Sequence, residues 1–425
     1  MYREAAREIP IVETTDVLVC GGGPAGVCAA IAAGRAGARV TVIEAHGCLG
    51  GIWTSGLLAW ILDKDNKTGL MPRITARLDA RNARRGAAYD VEQLKLVLEQ
   101  MCVEAGVRVR YHTRVCAAGR DDRNRLSVAV TESKSGREAW RAAAFIDGTG
   151  DGDLAAHAGC GFDFGHPESG KIQPMSLICL VGGIDAESTR PFHDRTNASS
   201  EKVKAAFLAE FRRAGLEPSY GKPTLMQVYP DLFLWMINHE YDVSALNADD
   251  ITAATLRSRA ELHALTDGLR SLGGCWRNVR ILATAEQIGV REGRRIHGRY
   301  ALTTDDIVRG ARFDDAVCRV TFGIDVHALD PAKNKGIDDI GLRAQPYDIP
   351  LRALIARDVD GLMMAGRCIS GDFLAHSSYR VTGDAVAMGQ AAGVCAAIAA
   401  KRNALPHEVP FAEVQAGLQE LGGAP

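Results

Sequence analysis

The chain has 425 residues, 47% of them hydrophobic, with 50 Lys and Arg against 52 Asp and Glu for a formal net charge of −2. That is enough apolar material for two domains, or one with a large insertion, and it leaves no basic field to hold nucleic acid or an anionic membrane. Eleven cysteines, an odd count with no CxxC pair, exclude a disulfide framework and a cysteine-rich zinc or iron–sulfur site. Cys20, Cys28 and Cys395 lie in apolar runs and read as small buried hydrophobes, which suits a reducing compartment. The N-terminus has no apolar signal core. The most apolar stretch, near 385–400, is interrupted by Gln390, so no membrane span is expected and the protein reads as cytoplasmic.

Residues 16–20 (Asp-Val-Leu-Val-Cys) form a short buried-strand run, and the glycine turn 21–26 (Gly-Gly-Gly-Pro-Ala-Gly) follows at once. An Ala-rich helical stretch and a second apolar run, 38–43, come next, and Glu44 closes that run. This order is a βαβ dinucleotide-binding unit. Gly21 permits the tight turn, Gly23 lets backbone approach a pyrophosphate, and Gly26 lets helix and strand pack closely. Pro24 suits the first helical turn, where no N–H is needed. Free N–H groups of the helix, with Ala25 among them, face the phosphates. An acid at 44 suits ribose hydroxyls and argues against a ribose 2′-phosphate.

Beyond it lies a Gly-rich loop, 49–56, then a helix with Val91, Leu94, Leu98 and Met101 on one face. Gly106 stops that helix, residues 107–111 alternate as a half-buried strand, and strand patterns recur at 126–130 and 140–146. A second strand-then-glycine turn, 145–153, closes this part. Residues 166 to about 340 carry no nucleotide signal. They hold a strand candidate at 175–181, a long polar-faced helix from Ala248 to about Leu272, and the charged run 291–295. The last part reads as a strand, a loop and a buried helix in which Gly389 and Gly393, four apart, permit close backbone packing. The expected domains are 1–165, 166–340 as an insertion, and 341–425 as a return segment.

Eight runs occur in one order along nearly the whole chain: 20–26 (Cys-Gly-Gly-Gly-Pro-Ala-Gly), 49–51 (Leu-Gly-Gly), 89–92 (Tyr-Asp-Val-Glu), 145–151 (Phe-Ile-Asp-Gly-Thr-Gly-Asp), 173–177 (Gln-Pro-Met-Ser-Leu), 291–295 (Arg-Glu-Gly-Arg-Arg), 347–350 (Tyr-Asp-Ile-Pro) and 365–370 (Ala-Gly-Arg-Cys-Ile-Ser). In these the chain resembles the FAD-dependent oxidoreductases of the bacterial FAD_oxidored group, whose first domain is shared with the glutathione-reductase and succinate-dehydrogenase flavoproteins. The resemblance implies an α/β fold, a Rossmann-like FAD-binding domain of the GR2 type with an inserted α+β substrate or cap domain. It implies FAD in an extended pose: pyrophosphate on residues 21–26, adenosine ribose on Glu44, and Gly148, Thr149 and Gly150 near the adenosine, with Val115 in the same contact set. Gly50, Gly51, Trp53 and Thr54 would lie along the cofactor, with ordinary core the competing reading for Trp53. Gly366 and Arg367 would sit near the ribitol, with Asp372 as an alternative because related flavoproteins often have Gly-Asp where this chain has Gly366 and Arg367. Thr382, Gly383 and Ala385 would open a helix aimed at the isoalloxazine, whose reduced form carries negative charge.

The loop 370–380 lies between the flavin-return strand and the last helix, so it is the best-placed source of reacting side chains. There His376 is the candidate base, Tyr379 a hydrogen-bond donor and Arg380 an anchor for a carboxylate or polar substrate; holding FAD or capping the helix is the alternative. His327 reads as a strand end that either faces the flavin or is a satisfied structural residue. Arg291, Arg294 and Arg295 with Glu292 read as an ion-paired, solvent-bathed helix face sooner than an anion site. His46 and Cys48 fall near adenosine, which excludes covalent flavin attachment there. No metal site is expected. The partners implied are a small-molecule substrate and a separate electron acceptor, with room for a homo-oligomer. The leading expectation is hydride transfer between a small polar metabolite and flavin N5. A flavin monooxygenase using NAD(P)H and oxygen, or an electron-transfer flavoprotein subunit, is the alternative.

Overall fold

The structure is a computed structural model and describes residues 1–2, 5–193 and 200–422. Its larger sheet has seven strands. The order is Arg108–Arg110, Val40–Ile43, Ile11–Cys20, Gly136–Asp147, Leu126–Ser133, Thr113–Arg120, with Leu362–Met364 also on Gly136–Asp147. The pairs that join Ile11–Cys20 to Val40–Ile43 and to Gly136–Asp147 are parallel, as are those made by Arg108–Arg110 and Leu362–Met364. Leu126–Ser133 and Thr113–Arg120 add antiparallel neighbours. Val17, Leu18, Val19 and Cys20 are all fully buried, and so is every residue of Val40–Ile43. Such unbroken apolar runs belong to strands covered on both faces, the condition of a parallel Rossmann-like core.

Two helices cover one face. Pro24–Arg35 follows the glycine turn, and Thr382–Arg402 packs against it so tightly that glycine is required. A Cβ at Gly389 would lie 2.1 Å from the Ala25 carbonyl oxygen, and one at Gly393 2.2 Å from that of Ala29. Thr382–Arg402 is long and apolar enough to cross a membrane, with 89% of its apolar window inside the fold. The expectation that Gln390 breaks this stretch therefore fails. Its side chain accepts the Leu70 N–H at 3.1 Å, so it is satisfied inside the protein, and the helix is apolar all round because protein surrounds it.

A second sheet is antiparallel, in the order Thr224–Tyr229, Leu232–Met236, Cys179–Gly182, Arg280–Thr284. The helices Glu201–Arg213 and Ala248–Ser271 accompany it, the latter capped by Asn247, which accepts the Asp249 and Asp250 N–H groups. Phe207, Phe211, Trp235 and Trp276 are each fully buried between sheet and helices. The strand expected at 175–181 starts later, at Cys179, because Met175 and Ser176 make single bridges to Glu240 and Gly289 instead. Chain beyond this sheet makes two separate two-stranded sheets before Leu362–Met364 rejoins the first. Arg295–Ile296 pairs with Phe162–Asp163, and Ala316–Val320 with Tyr347–Pro350. That return brings the 291–295 and 325–327 segments beside the final helices.

Candidate active site

The glycine turn is built by contact. Gly21 has φ +92°, and a Cβ on it would lie 2.5 Å from the Gly148 carbonyl carbon. A Cβ on Gly26 would lie 1.8 Å from the Gly21 oxygen. Gly23 differs: its Cβ would meet only the Gly148 oxygen, at 3.8 Å, so one side of the turn is open. Pro24–Arg35 starts there with no side-chain cap and no acid in its first turn, which leaves its positive end available to an anion. Buried Glu44 accepts the Gly22 N–H at 2.6 Å with one oxygen and the His46 N–H at 2.8 Å with the other. One lone pair on each oxygen remains for ribose hydroxyls. The Thr113 N–H donates to the Glu44 carbonyl at 3.0 Å, and that brings buried Val115 to the same end.

Two further turns close on this one. Gly50 donates to the Gly22 carbonyl at 2.8 Å, and a Cβ on Gly51 would come 2.9 Å from the Gly23 Cα. Thr54 ties its hydroxyl to the Leu49 carbonyl at 2.6 Å. Trp53 is fully buried with its indole Nε1 unpartnered. Asp147 is also fully buried and pins the other turn: it accepts from the Thr149 N–H at 3.0 Å and hydroxyl at 2.7 Å, and from the Ala155 N–H at 2.8 Å. Burial pushes its carboxyl up to about 6. His46 faces outward to Glu286, away from the turns.

The return segment corrects two expectations. Gly366, at φ +87°, presses on Ala25. The Arg367 guanidinium, however, pairs with Asp151 at 2.8 Å and donates to the Val290 carbonyl at 2.9 Å. It lies against Gly150, where a Cβ would be 2.8 Å from its Nη2. Arg367 thus braces the 148–151 turn rather than a ribitol. Asp372 is no substitute: it caps Phe373–Tyr379 through the Ala375 N–H at 2.8 Å, and its other oxygen accepts from Thr304. At the start of the final helix, the Gly383 N–H donates to the Leu62 carbonyl at 3.0 Å, so it supplies close packing and no free donor. Thr382 keeps a buried, unpartnered hydroxyl, and Ala385 is buried beside Gly366. Asp384 is fully buried and pairs with Lys67 at 2.8 Å, which also holds Asp63 at 2.7 Å. Nothing in the local pattern of 63–67 signals that cluster.

The reacting candidates sit on Phe373–Tyr379 and what packs on it. His376 is fully buried, and neither ring nitrogen makes a well-formed hydrogen bond among the described residues. Burial and then the charges of Arg380, Arg295 and Arg367 push it well below the usual histidine value, so it stays neutral. Tyr379 donates to the Ile369 carbonyl at 3.0 Å and meets His376 edge-on at 5.5 Å between ring centroids. Arg380 donates to the Asp325 carbonyl at 2.8 Å and to Gln173 Oε1 at 3.1 Å, with the Asp325 carboxylate 3.5 Å away. Gln173 is a hub: its Nε2 donates to Ser377 at 3.0 Å, and its Oε1 also accepts the His327 N–H at 3.0 Å.

His327 forms a single antiparallel bridge with Ile337 and is not at the end of a strand; Gln173 and Asp325 hold it there. Its Nε2 is 3.4 Å from the Asp325 carboxylate and its Nδ1 3.2 Å from Nε2 of His239, whose Nδ1 is 3.2 Å from the Tyr241 hydroxyl. An anionic Asp325 needs a proton on His327 Nε2. His327 Nδ1 then accepts from His239, and His239 Nδ1 accepts from Tyr241. Burial works against the Asp325 charge, yet His327 and Arg380 hold this carboxyl far below the usual range. Burial, then Arg291, pushes His327 down to about 4.

The 291–295 run is not a solvent-bathed helix. Gly293 lies so close to Asp151 that a Cβ would come 2.1 Å from its carboxylate, and the chain there is irregular before the short strand Arg295–Ile296. Glu292 and Arg295 are buried and paired at 2.5 Å, and Arg294 pairs with Asp153 at 2.8 Å. Arg291 points the other way, to the Pro174 carbonyl at 2.6 Å and the Ser176 hydroxyl at 3.0 Å. Sequence reading passed over Asp325 and His239, and saw Gln173 only as part of a motif.

The FAD dependent oxidoreductase family matches residues 16–418, and the chain belongs to that family. It is an enzyme, an oxidoreductase whose cofactor is FAD. Among curated proteins no relative matches. A geranylgeranyl bacteriochlorophyll reductase-like protein from Thermoplasma acidophilum is 13% identical, with 96% of this chain and 83% of that chain covered and a TM-score of 0.48. The flavin-dependent brominase Bmp2 is 13% identical over 96% and 83%, at 0.47. The p-nitrophenol 4-monooxygenase PnpA from Pseudomonas putida is 14% identical over 97% and 84%, at 0.44. Likenesses this loose do not bear on the chemistry of the chain. The residues themselves fit FAD: the turn is open at Gly23, the helix end above it is uncapped, and Trp53 and Thr382 carry buried polar atoms without a partner among the described residues.

Proposed function

We propose that the chain oxidises a small polar metabolite, with hydride passing to N5 of FAD and a separate acceptor reoxidising the flavin. FAD, when bound, supplies the two-electron acceptor. Residues 21–26, Glu44 and the 50–54 and 148–150 turns would hold its nucleotide half, and Gly366, Ala385 and Thr382 its other end. The second sheet with its helices serves as the inserted substrate or cap domain. The free state of all eleven cysteines suits a cytoplasmic enzyme.

The observation that carries this reading is the hydrogen-bonded run Tyr241, His239, His327, Asp325, joined through Gln173 and Arg380 to the Phe373–Tyr379 helix. Its protons all point toward Asp325, so each imidazole keeps a basic nitrogen. A proton from a substrate hydroxyl enters at His239 Nδ1 once Tyr241 turns to the Ser219 carbonyl, His239 passes its Nε2 proton to His327, and Asp325 stabilises the imidazolium that results. His376 is a poorer base than His327, because burial and then three arginines oppose its protonation while Asp325 supports that of His327; in this reading it and Tyr379 shape and orient the site. Arg380 anchors the polar end of the substrate.

The test is anaerobic mixing of the flavin-loaded enzyme with fractionated metabolite pools, read as loss of oxidised-flavin absorbance. With a reducing metabolite in hand, His327→Gln should slow flavin reduction by about 100-fold or more, the scale of a lost general base. His376→Ala should cost less than His327→Gln. Equal reduction rates in His327→Gln and the unmodified enzyme would remove the relay from the mechanism.

A further inference from the structure

Two buried arginines lie beside the histidine relay, and among the described residues only Arg380 of the two has a carboxylate within ion-pair reach. The Arg380 side chain is only 9% exposed; among the described residues its nearest carboxylate is Asp325 at 3.5 Å and its Nε has no partner. Arg291 forms no ion pair among the described residues: its guanidinium donates to the Pro174 carbonyl and the Ser176 hydroxyl and touches Met236 Sδ at 3.8 Å. Pro174, which accepts from Arg291, follows Gln173, whose Oε1 accepts from Arg380 and from the His327 N–H, so both guanidinium groups are held by one short segment. Burial and then Arg380 lower Arg291 to about 10, and Arg291 in turn helps depress His239 and His327. Glu292 does not balance the pair, since it is spent on Arg295 at 2.5 Å. With both histidines neutral, the pocket holds two positive charges against one negative.

A buried guanidinium without a counter-charge is unfavourable, and an anionic ligand would supply the charge it lacks. We infer that Arg291 and Arg380 form the subsite for a substrate carboxylate, one negative charge, and that the metabolite is a hydroxy-monocarboxylate with its hydroxyl at the His239–His327 pair. This deepens the proposed oxidation and rests on it for the role of the hydroxyl. The charge count sets the class. A dianion would leave the pocket negative, and a neutral alcohol would leave one guanidinium uncompensated. Arginine is suited to the task because its planar fork meets both carboxylate oxygens.

The probe is α-hydroxyisobutyrate, which carries the carboxylate and hydroxyl but has no carbon-bound hydrogen to give up; its neutral amide is the control. Calorimetric titration of the flavin-loaded enzyme should show the acid binding and the amide failing to bind. Arg291→Met and Arg380→Met should each weaken the acid by about 10- to 100-fold, the scale of a lost charge-assisted hydrogen bond. Arg291→Lys, which keeps the charge but not the fork, should fall between. Thermal unfolding checks folding: the acid should raise the midpoint of the unmodified enzyme and leave that of Arg291→Met unmoved. Equal binding of acid and amide, or undiminished binding by both Met variants, would overturn the subsite. Flavin content is read by colour in the same samples. A yellow enzyme that ignores the acid defeats only the carboxylate, whereas a colourless protein that takes up no FAD defeats the oxidation, and apoprotein titration still decides the subsite.

Discussion

The nucleotide cradle and the arginine–histidine pocket are built on opposite principles. In the cradle, backbone meets backbone: Gly21, Gly26 and Gly148 touch one another, and Asp147 and Glu44 spend hydrogen bonds on main-chain N–H groups. Its groups are largely satisfied before any ligand arrives, and only the side at Gly23 is open. In the pocket, side chains meet side chains, only one of two guanidinium groups has a carboxylate within ion-pair reach, and polar atoms at Arg380 and His376 lack partners among the described residues. A rigid cradle can hold one cofactor permanently. A pocket left electrostatically incomplete favours whichever small molecule completes it, and this is what a turnover site requires.

The harshest way to break the comparison is to fill the cradle. Gly26→Ala puts a methyl 1.8 Å from a backbone oxygen that cannot move without dragging Gly21 and Gly148, so the apoprotein itself should lose several kcal/mol, of order 3–5. Gly23→Ala has room, with its nearest contact at 3.8 Å. Its apoprotein should melt as the unmodified one does, while FAD affinity falls by at least about tenfold, because the methyl stands where a phosphate must approach. Thermal unfolding with and without added FAD separates the two; equal melting of both apoproteins would mean that Gly26 is not the packing point. Next in size is Asp325→Asn, which strips the pocket of its carboxylate. Breaking a buried pair costs about 3–5 kcal/mol, and denaturant unfolding should show a loss at the low end of that range because Arg380 keeps its two carbonyl contacts.

The same contrast governs how much the sequence could reveal. The cradle is local: strand, turn, helix and Glu44 fall within residues 16–44, and steric rules at each glycine act between neighbours in that unit, so spacing alone locates it. The FAD family and the parallel α/β core were legible for the same reason. The pocket draws on residues 173, 239–241, 291, 325–327 and 376–380, and no periodicity links them. Arg367 was misassigned because its partner, Asp151, sits more than two hundred positions away, and Asp372 because Thr304 claims its second oxygen. The arginines of 291–295 looked like a charged surface since charge in sequence is usually solvated. Their burial depends on Gly293 fitting against Asp151, a contact visible only in three dimensions.

Acid titration sharpens the contrast by sign. Asp147 in the cradle is raised to about 6, so the folded state keeps a proton that the unfolded chain releases near 3.8; it stabilises below 3.8, and that contribution is lost as pH rises to 6. His327 in the pocket is lowered to about 4, so the unfolded chain takes up a proton near 6.5 that the folded state refuses; its contribution is present above 6.5 and lost as pH falls to 4. Each is worth about 3 kcal/mol, and between pH 4 and 6 they oppose one another. Unfolding free energy measured across that range should gain stability toward acid in His327→Gln and lose it toward acid in Asp147→Asn, relative to the unmodified protein. Parallel slopes in all three would show that neither group is shifted as its burial implies.

The smallest expected effect bears most closely on the relay. The Tyr241 hydroxyl has two acceptors within reach, His239 Nδ1 at 3.2 Å and the Ser219 carbonyl at 3.4 Å. If it donates to the imidazole, it fixes His239 with the proton on Nε2 and so fixes the direction of every bond down to Asp325. Tyr241→Phe should then cost about 1 kcal/mol, the net worth of one hydrogen bond, leave FAD content unchanged, and free His239 to sample its other tautomer. Nitrogen-15 chemical shifts of the two imidazoles report this directly, because a protonated and a bare ring nitrogen resonate far apart. Unmoved shifts in the variant would mean that the hydroxyl serves Ser219 and that Asp325 alone orders the chain. The cradle, with its own hydrogen bonds made to backbone, should not register the substitution at all.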